Sequence, residues 1–221
     1  MEVFPAGGRL LLDGPEIGCL WNGIQMSRPP IEPALLEIRA FAAADAEAAR
    51  GFSCGDEDLD DFLRADAMRL QAQNVVRSFV ALYEGELVGY VALLVDAVEL
   101  KSNERKKLAI RSPHRIVPAL KIARLGVSKD FRARHRGVGE ALMYYAYSSA
   151  HDLAERVGCR LLTLDAYAES IAFYERLGFV RNQAKAYEGK AHPSMRLDLF
   201  APAVPAWISG WDGSARPAGD S

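Results

Sequence analysis

The stretch Arg124-Leu-Gly-Val-Ser-Lys-Asp-Phe-Arg-Ala-Arg-His-Arg-Gly-Val-Gly-Glu-Ala-Leu142 constrains this chain more than any other. It reads as a short apolar strand, a basic glycine-containing turn, and the first turn of an amphipathic helix. Gly137 and Gly139 carry no Cβ, so main-chain N–H groups there can come close to a ligand. Where such N–H groups open a helix, the positive end of its dipole favours an anion, phosphate above all. Arg132, Arg134 and Arg136 add guanidinium forks that match phosphate oxygens. Together these parts read as a cradle for a diphosphate.

Two common cradles are excluded. No Gly-x-x-x-x-Gly-Lys-Ser/Thr run occurs, so this is not a P-loop. Leu142 stands where a dinucleotide fingerprint needs its third glycine. What remains, Arg134-His-Arg-Gly-Val-Gly139, resembles the Arg/Gln-x-x-Gly-x-Gly/Ala acyl-CoA loop of the GNAT N-acetyltransferases. Further along, the β-rich run Leu161-Leu-Thr-Leu-Asp165 precedes Ala172-Phe-Tyr-Glu-Arg-Leu-Gly-Phe179, which looks like the second block of that family. There a short helix ends at a glycine; Gly178 suits the left-handed cap and Phe179 the apolar contact after it. The resemblance runs from about Leu35 to Leu199 and is strongest over Ile122–Phe179.

The resemblance implies an α/β (α+β) fold with a central mixed, mostly antiparallel sheet of roughly six or seven strands, flanked by about four helices. One strand would splay from its neighbour to hydrogen-bond the pantetheine arm of acetyl-CoA, a role that falls on Leu125, Gly126 and Val127. Cofactor contacts are expected from Arg132, Arg134, His135, Arg136, Gly137, Val138 and Gly139, and from Ser170 in the second block. A main-chain N–H near Val127 would face the developing oxyanion, an interaction worth about 3 kcal/mol. Tyr174 falls where the family places the phenol that protonates the departing thiolate. A tyrosine with pKa near 10 keeps its proton at neutral pH and can act as general acid. For the general base, Asp96, Glu99 and Asp165 stand at expected strand ends, each equally readable as a structural ion-pair partner. Direct attack in a ternary complex is favoured over an acyl-cysteine, because neither block holds a cysteine.

Composition narrows the rest. The 221 residues, half of them apolar, fit one domain with tails. No apolar run of about 18 residues exists, and the start offers too little for a signal peptide, so a cytoplasmic protein without a membrane span is expected. Cys19, Cys54 and Cys159 lack disulfide or metal-ligand spacing and read as reduced, packed thiols; the four histidines are scattered, and no metal is expected. Charge is uneven: Lys101–Arg136 holds twelve Lys/Arg against two acids, while the whole chain carries a net −2. Lys101, Arg105, Lys106, Lys107, Arg111 and Arg115 precede the cradle and read as a solvated loop, a phosphate fringe or a nucleic-acid landing surface.

Residues 1–33, ending in Arg28-Pro-Pro-Ile-Glu-Pro33, read as an irregular extension, 34–200 as the acetyltransferase domain, and 201–221 as a tail carrying Trp207 and Trp211. Within the domain, strands are expected at Leu35–Phe41, Arg77–Tyr83, Leu87–Val95 and Ala119–Val127, with Glu84-Gly-Glu86 as a hairpin turn. A helix from Gly55 would keep Glu57, Asp58, Asp60, Asp61 and Asp66 on its outer face. A long helix over Gly137–Val157, capped by Gly158, and closing strands Val180–Tyr187 and Ser194–Phe200 complete the expectation.

Phe52-Ser-Cys-Gly-Asp-Glu-Asp-Leu-Asp-Asp-Phe-Leu63 looks like a stretch found in GNAT toxins that acetylate aminoacyl-tRNA, and in generic relatives. The insertion Ser102–Arg115 is more similar to the generic relatives. Three readings therefore stand: an acetyl-CoA-dependent N-acetyltransferase of a primary amine, a tRNA-acetylating toxin with an antitoxin partner, or a catalytically silent acyl-CoA-binding module. A homodimer is among the partners the resemblance implies.

Overall fold

The computed structural model describes residues 28–201. Cys19, Trp207, Trp211 and most of both extensions lie outside the described residues. The strands are Leu36–Ala40 (β1), Arg77–Tyr83 (β2), Glu86–Glu99 (β3), Ile116–Val127 (β4), Leu161–Asp165 (β5), Val180–Arg181 (β6) and Ser194–Asp198 (β7). They form one sheet in the order β1-β2-β3-β4-β5-β7-β6, with β4 and β5 parallel and every other pair antiparallel. Helices span Ala46–Gly51 (α1), Glu57–Asp61 (α2), Ala67–Ala72 (α3), Ser102–Lys107 (α4), Lys129–Arg134 (α5), Val138–Arg156 (α6) and Ile171–Arg176 (α7). A π turn at Phe62–Asp66 carries α2 straight into α3.

Alternation along β3 sorts the core into two layers. Val91 and Leu93 face α6, which offers Val138, Ala141, Leu142, Tyr145 and Ala146. Tyr90 and Ala92 face the other way, onto Phe52, Phe62, Leu63 and Ala67 from α1–α3. Glu84 (φ 51°) and Gly85 (φ 83°) are both left-handed, the backbone of a primed hairpin turn whose twist suits β2 and β3.

Several local expectations are corrected. Asp60 is buried rather than on an outer face: it accepts from Cys54 N at 2.7 Å and from Ser53 Oγ at 2.7 Å. Gly158 supplies no left-handed cap, because α6 ends in extended Val157 (φ −142°). The strand expected over Val180–Tyr187 pairs only at Val180 and Arg181. Beyond it the Asn182 side chain bonds Ser194 Oγ at 2.9 Å and Arg196 at 2.8 Å, which draws the chain off the sheet.

Arg196 and Glu104 form a buried ion pair at 2.7 Å, their side chains 6% and 2% exposed. Glu104 also accepts from Lys101 N at 2.9 Å and Gln183 N at 3.2 Å, so it anchors α4 to the end of the sheet. Removing one partner of such a pair leaves the other charge buried and alone. Glu104→Ala is expected to cost about 3–5 kcal/mol of stability, read as a lowered urea midpoint.

Candidate functional site

β4 pairs with β5 only over Ala119–Ile122. Past Ile122 the ladder to β5 ends, and Ala123 forms a bulge against β3, whose Ala92 and Leu93 face Arg124 and Ile122. From Arg124 to Val127 the strand leans on β3 alone. Ser128 donates its N–H to Val88 O at 2.8 Å, which fixes the alternation. Gly126 turns its main-chain groups toward β3, and Leu125 and Val127 turn theirs toward the gap left by β5.

That gap is the throat of a cleft of about 1050 Å³. Gly126 permits its wall: a Cβ there would sit 2.7 Å from the ring of Tyr90, which is fully buried. The N-terminus of α6 opens into the same cleft through Val138, Gly139 and Glu140. The residue before it, Gly137, is left-handed at φ 113° and has no side chain to cap the helix, so the first-turn N–H groups stay free for an anion.

The basic turn contains a helix that the sequence reading did not resolve. Ser128 caps α5 by accepting from Phe131 N at 3.3 Å, and the chain then breaks at His135–Gly137 before α6. This break redirects the arginines. Arg132 and Arg136 line the cleft, whereas Arg134 stands outside it, 3.3 Å from Glu86 and with its guanidinium over the Phe131 ring. His135 lines the cleft with its ring stacked 4.7 Å from Phe131, and its Nδ1 is buried without a partner among the described residues.

The segment read as an irregular extension reaches this site. Pro30 forms a parallel bridge with Arg136; Ile31 N donates to Arg136 O at 2.9 Å and Arg136 N to Pro29 O at 3.1 Å. The main-chain N–H of Arg136 is therefore committed to the strap, not to the cleft. Ile31 is buried against Gly137, where a Cβ would meet its Cγ1 at 3.0 Å. Arg28, which no motif pointed to, lines the cleft; an isolated isoleucine between prolines was the only signal of docking.

Tyr174 and Ser170 reach the cleft from α7 and the turn before it. Gly178 ends α7 at φ 87°, and Phe179 N donates to Tyr174 O at 3.0 Å, which locks the last turn. The Tyr174 ring lies 5.2 Å from Phe173 and 5.9 Å from Phe179, and its hydroxyl has no hydrogen-bond partner among the described residues. Burial pushes its pKa up to about 12. On the floor, Asp165 pairs with Lys121 at 2.6 Å and Asp96 accepts from Thr163 Oγ1 at 2.9 Å. Glu99 is not in the lining; its side chain lies 3.9 Å from Arg115 at the far end of β3. Sequence reasoning also missed the outer wall, where Asp56 and Asp58 line the cleft with Tyr167 and His192, whose rings meet edge-on at 4.5 Å. These come from three separate segments, and no motif links them.

The pattern of the Acetyltransferase (GNAT) family matches residues 41–179. The chain belongs to the GNAT acetyltransferase family. It is 31% identical over 138 residues to a tRNA-acetylating toxin of Mycobacterium tuberculosis (strain ATCC 25618 / H37Rv), covering 62% of this chain and 80% of that protein. Among solved structures, a KacT mutant superposes with a TM-score of 0.64 at 23% identity, covering 75% of this chain and 95% of that one. AtaT complexed with acetyl-methionyl-tRNAfMet gives 0.63 at 22% identity, covering 74% and 94%. Among the described residues, no helix is long and apolar enough to cross a membrane, and no cluster of three metal-ligand side chains occurs.

The structure also brings a cysteine to the cleft that the motifs did not place there. Cys54 lines the wall beside Gly126, and burial first, with the hydrogen bond to Asp60 next, raises its thiol to about 11. It stays protonated at neutral pH and is a poor nucleophile. Intact-mass spectrometry after incubation with acetyl-CoA is expected to find no acetyl adduct on Cys54; a stable adduct there would contradict the thiol state.

Proposed function

We propose that the protein acetylates the α-amino group of an aminoacyl-tRNA, taking the acetyl group from acetyl-CoA by direct attack in a ternary complex. The observation that carries this reading is the 31% identity to a tRNA-acetylating toxin across 80% of that protein's length. A second observation favours a polyanionic acceptor over a small amine. The basic segment around α4 forms a groove of its own at the Glu99 end of β3, bordered by Lys101, Arg105, Arg115 and Lys185, and Lys190, three residues past Tyr187, lines the cleft itself. A band of this kind draws in phosphates through counterion release.

In this reading the diphosphate of the cofactor lies on the N-terminus of α6 at Val138 and Gly139, flanked by Arg132, His135, Arg136 and Gly137. The pantetheine arm follows Leu125–Val127 and adds the missing strand edge. The amine nitrogen attacks the thioester carbonyl, whose oxygen gathers charge beside the Val127 N–H. The carbon–sulfur bond breaks and Tyr174 gives its proton to the thiolate. The proton shed by the amine leaves through water toward Asp96 and Asp165. An aminoacyl α-amine, titrating near pH 8, arrives partly neutral and needs only modest help. By analogy with AtaT, solved with the C-terminus of the antitoxin AtaR, we extend the proposal to an antitoxin partner.

Four outcomes test this. Acetyl-CoA mixed with charged tRNA, peptides and small amines is expected to give acetyl-aminoacyl-tRNA as the main product by mass spectrometry; acetylation of small amines alone would overturn the reading. Tyr174→Phe is expected to lower kcat by about 10²–10⁴-fold with CoA binding retained. Because burial raises Tyr174 to about 12, the acid remains loaded across the working range. The wild-type rate therefore climbs with pH through the amine near 8 and shows no loss from Tyr174 below about pH 11. Lys106→Glu, Lys107→Glu and Arg111→Glu together are expected to raise KM for charged tRNA about tenfold or more, sparing transfer to a small amine. Equal loss with both acceptors would exclude α4 as an RNA contact.

A further inference from the structure

We propose that Arg28, carried on the strap formed by residues 28–31, is a phosphate ligand of the coenzyme and replaces the cation that Arg134 withdraws. This rests on the acetyl-CoA reading of the cleft and adds to it a site outside the family block at 41–179. The coenzyme carries a diphosphate and a separate 3′-phosphate, so the cradle needs several donors in fixed places. Of the three arginines in the basic turn, Arg134 is bound to Glu86 and Phe131, outside the lining. Arg132 spends one donor on Cys54 O at 3.3 Å.

Arg28 fills the shortfall by position. Its guanidinium borders the cleft alongside Arg132, Arg136 and Gly137. One of its nitrogens donates to Arg132 O, which aims the group along the cradle and leaves further N–H donors of the fork free. The Arg136 Nε donates back to Arg28 O at 3.2 Å. The strap is held in this place, because Ile31 N donates to Arg136 O, Arg136 N donates to Pro29 O, and Ile31 is buried in the core beside Gly137. Glu32 N adds a contact to the Tyr83 hydroxyl at 3.4 Å, whose ring packs 5.2 Å from Phe131. The strap and the cradle are thus one rigid unit, and a guanidinium fixed before binding loses little freedom when phosphate arrives.

The test is calorimetric titration of CoA into the full chain, with no acceptor present. Arg28→Ala is expected to weaken CoA binding about tenfold or more, with Arg28→Gln as a second variant that keeps the stem. Arg134→Ala is expected to lose less than Arg28→Ala. Repeating the titration with 3′-dephospho-CoA separates the two phosphate sources: a penalty that persists assigns Arg28 to the diphosphate, and one that vanishes assigns it to the 3′-phosphate. Binding unchanged in both Arg28 variants, whose folding is checked by thermal melting, would overturn the proposal while leaving the cofactor reading intact. A wild-type chain that takes up no CoA would sink both.

Discussion

The site depends on a ladder that stops. β4 and β5 hold together for Ala119–Ile122 and then part, with Ala166 N going to Pro193 O at 2.9 Å on the far side. Had the pairing run on to Val127, the main-chain groups of Leu125 and Val127 would bond to protein, and no cleft would exist. An unpaired main-chain group costs about 1–3 kcal/mol when it is buried, so an open ladder persists only where water or a ligand reaches it. Phe173 and Tyr174 line the cleft and pack against the core.

A splayed strand is also liable to collapse, and the opposite layer prevents it. Tyr90 lies under Gly126, its ring stacked 6.0 Å from Phe62 and edge-on to Phe52 at 5.7 Å, with its hydroxyl donating to Leu59 O at 2.7 Å. Asp60 gathers Ser53 and Cys54, and Ser53 O accepts from Lys129 N at 2.9 Å, which ties the loop to the start of α5. Arg64 completes the knot, 3.5 Å from Asp60 and bonded to Phe52 O at 3.1 Å. The run Phe52–Leu63, which as sequence resembles a stretch of toxin-like relatives, is in physical terms the brace of the splayed strand. That explains why an acid which looked like part of a solvated helix face is in fact buried.

What the sequence disclosed follows the same division. Period-two runs and the Glu84-Gly85 turn announced the hairpin, because the steric rules for those residues act locally. The cradle glycine and the Gly178 cap were legible for the same reason. Side-chain destinations were not. Arg132, Arg134 and Arg136 are equivalent as a pattern, yet the Lys129–Arg134 helix turns Arg134 toward Glu86 and leaves the other two on the cleft. Glu99 and Asp96 end the same strand, but only Asp96 reaches the cleft lining. The outer wall of Asp56, Tyr167 and His192 assembles from segments 111 and 25 residues apart, and no short-range rule brings them together.

The charge distribution suits an acceptor with two faces. Asp56, Asp58, Asp96, Asp165 and Glu169 line the cleft together with Lys121, Arg132, Arg136 and Lys190, while Lys101, Arg105 and Arg115 of the α4 segment border a separate basic groove. Carboxylates inside a partly desolvated cleft draw an amine inward but also favour its ammonium form, which cannot attack a carbonyl. Too acidic a floor would hold the acceptor as an inert cation. Lys121 offsets this directly at Asp165, and Thr163 occupies one oxygen of Asp96, so in the proposed reaction the floor would receive a proton without trapping the amine. In the proposed complex the α4 groove would act at longer range, over about 8–10 Å in salt, on phosphates outside the cleft. In the proposed reaction the cations of the cleft and of the α4 groove would meet the acceptor's phosphates, while Asp96 and Asp165 would take the proton from its amine.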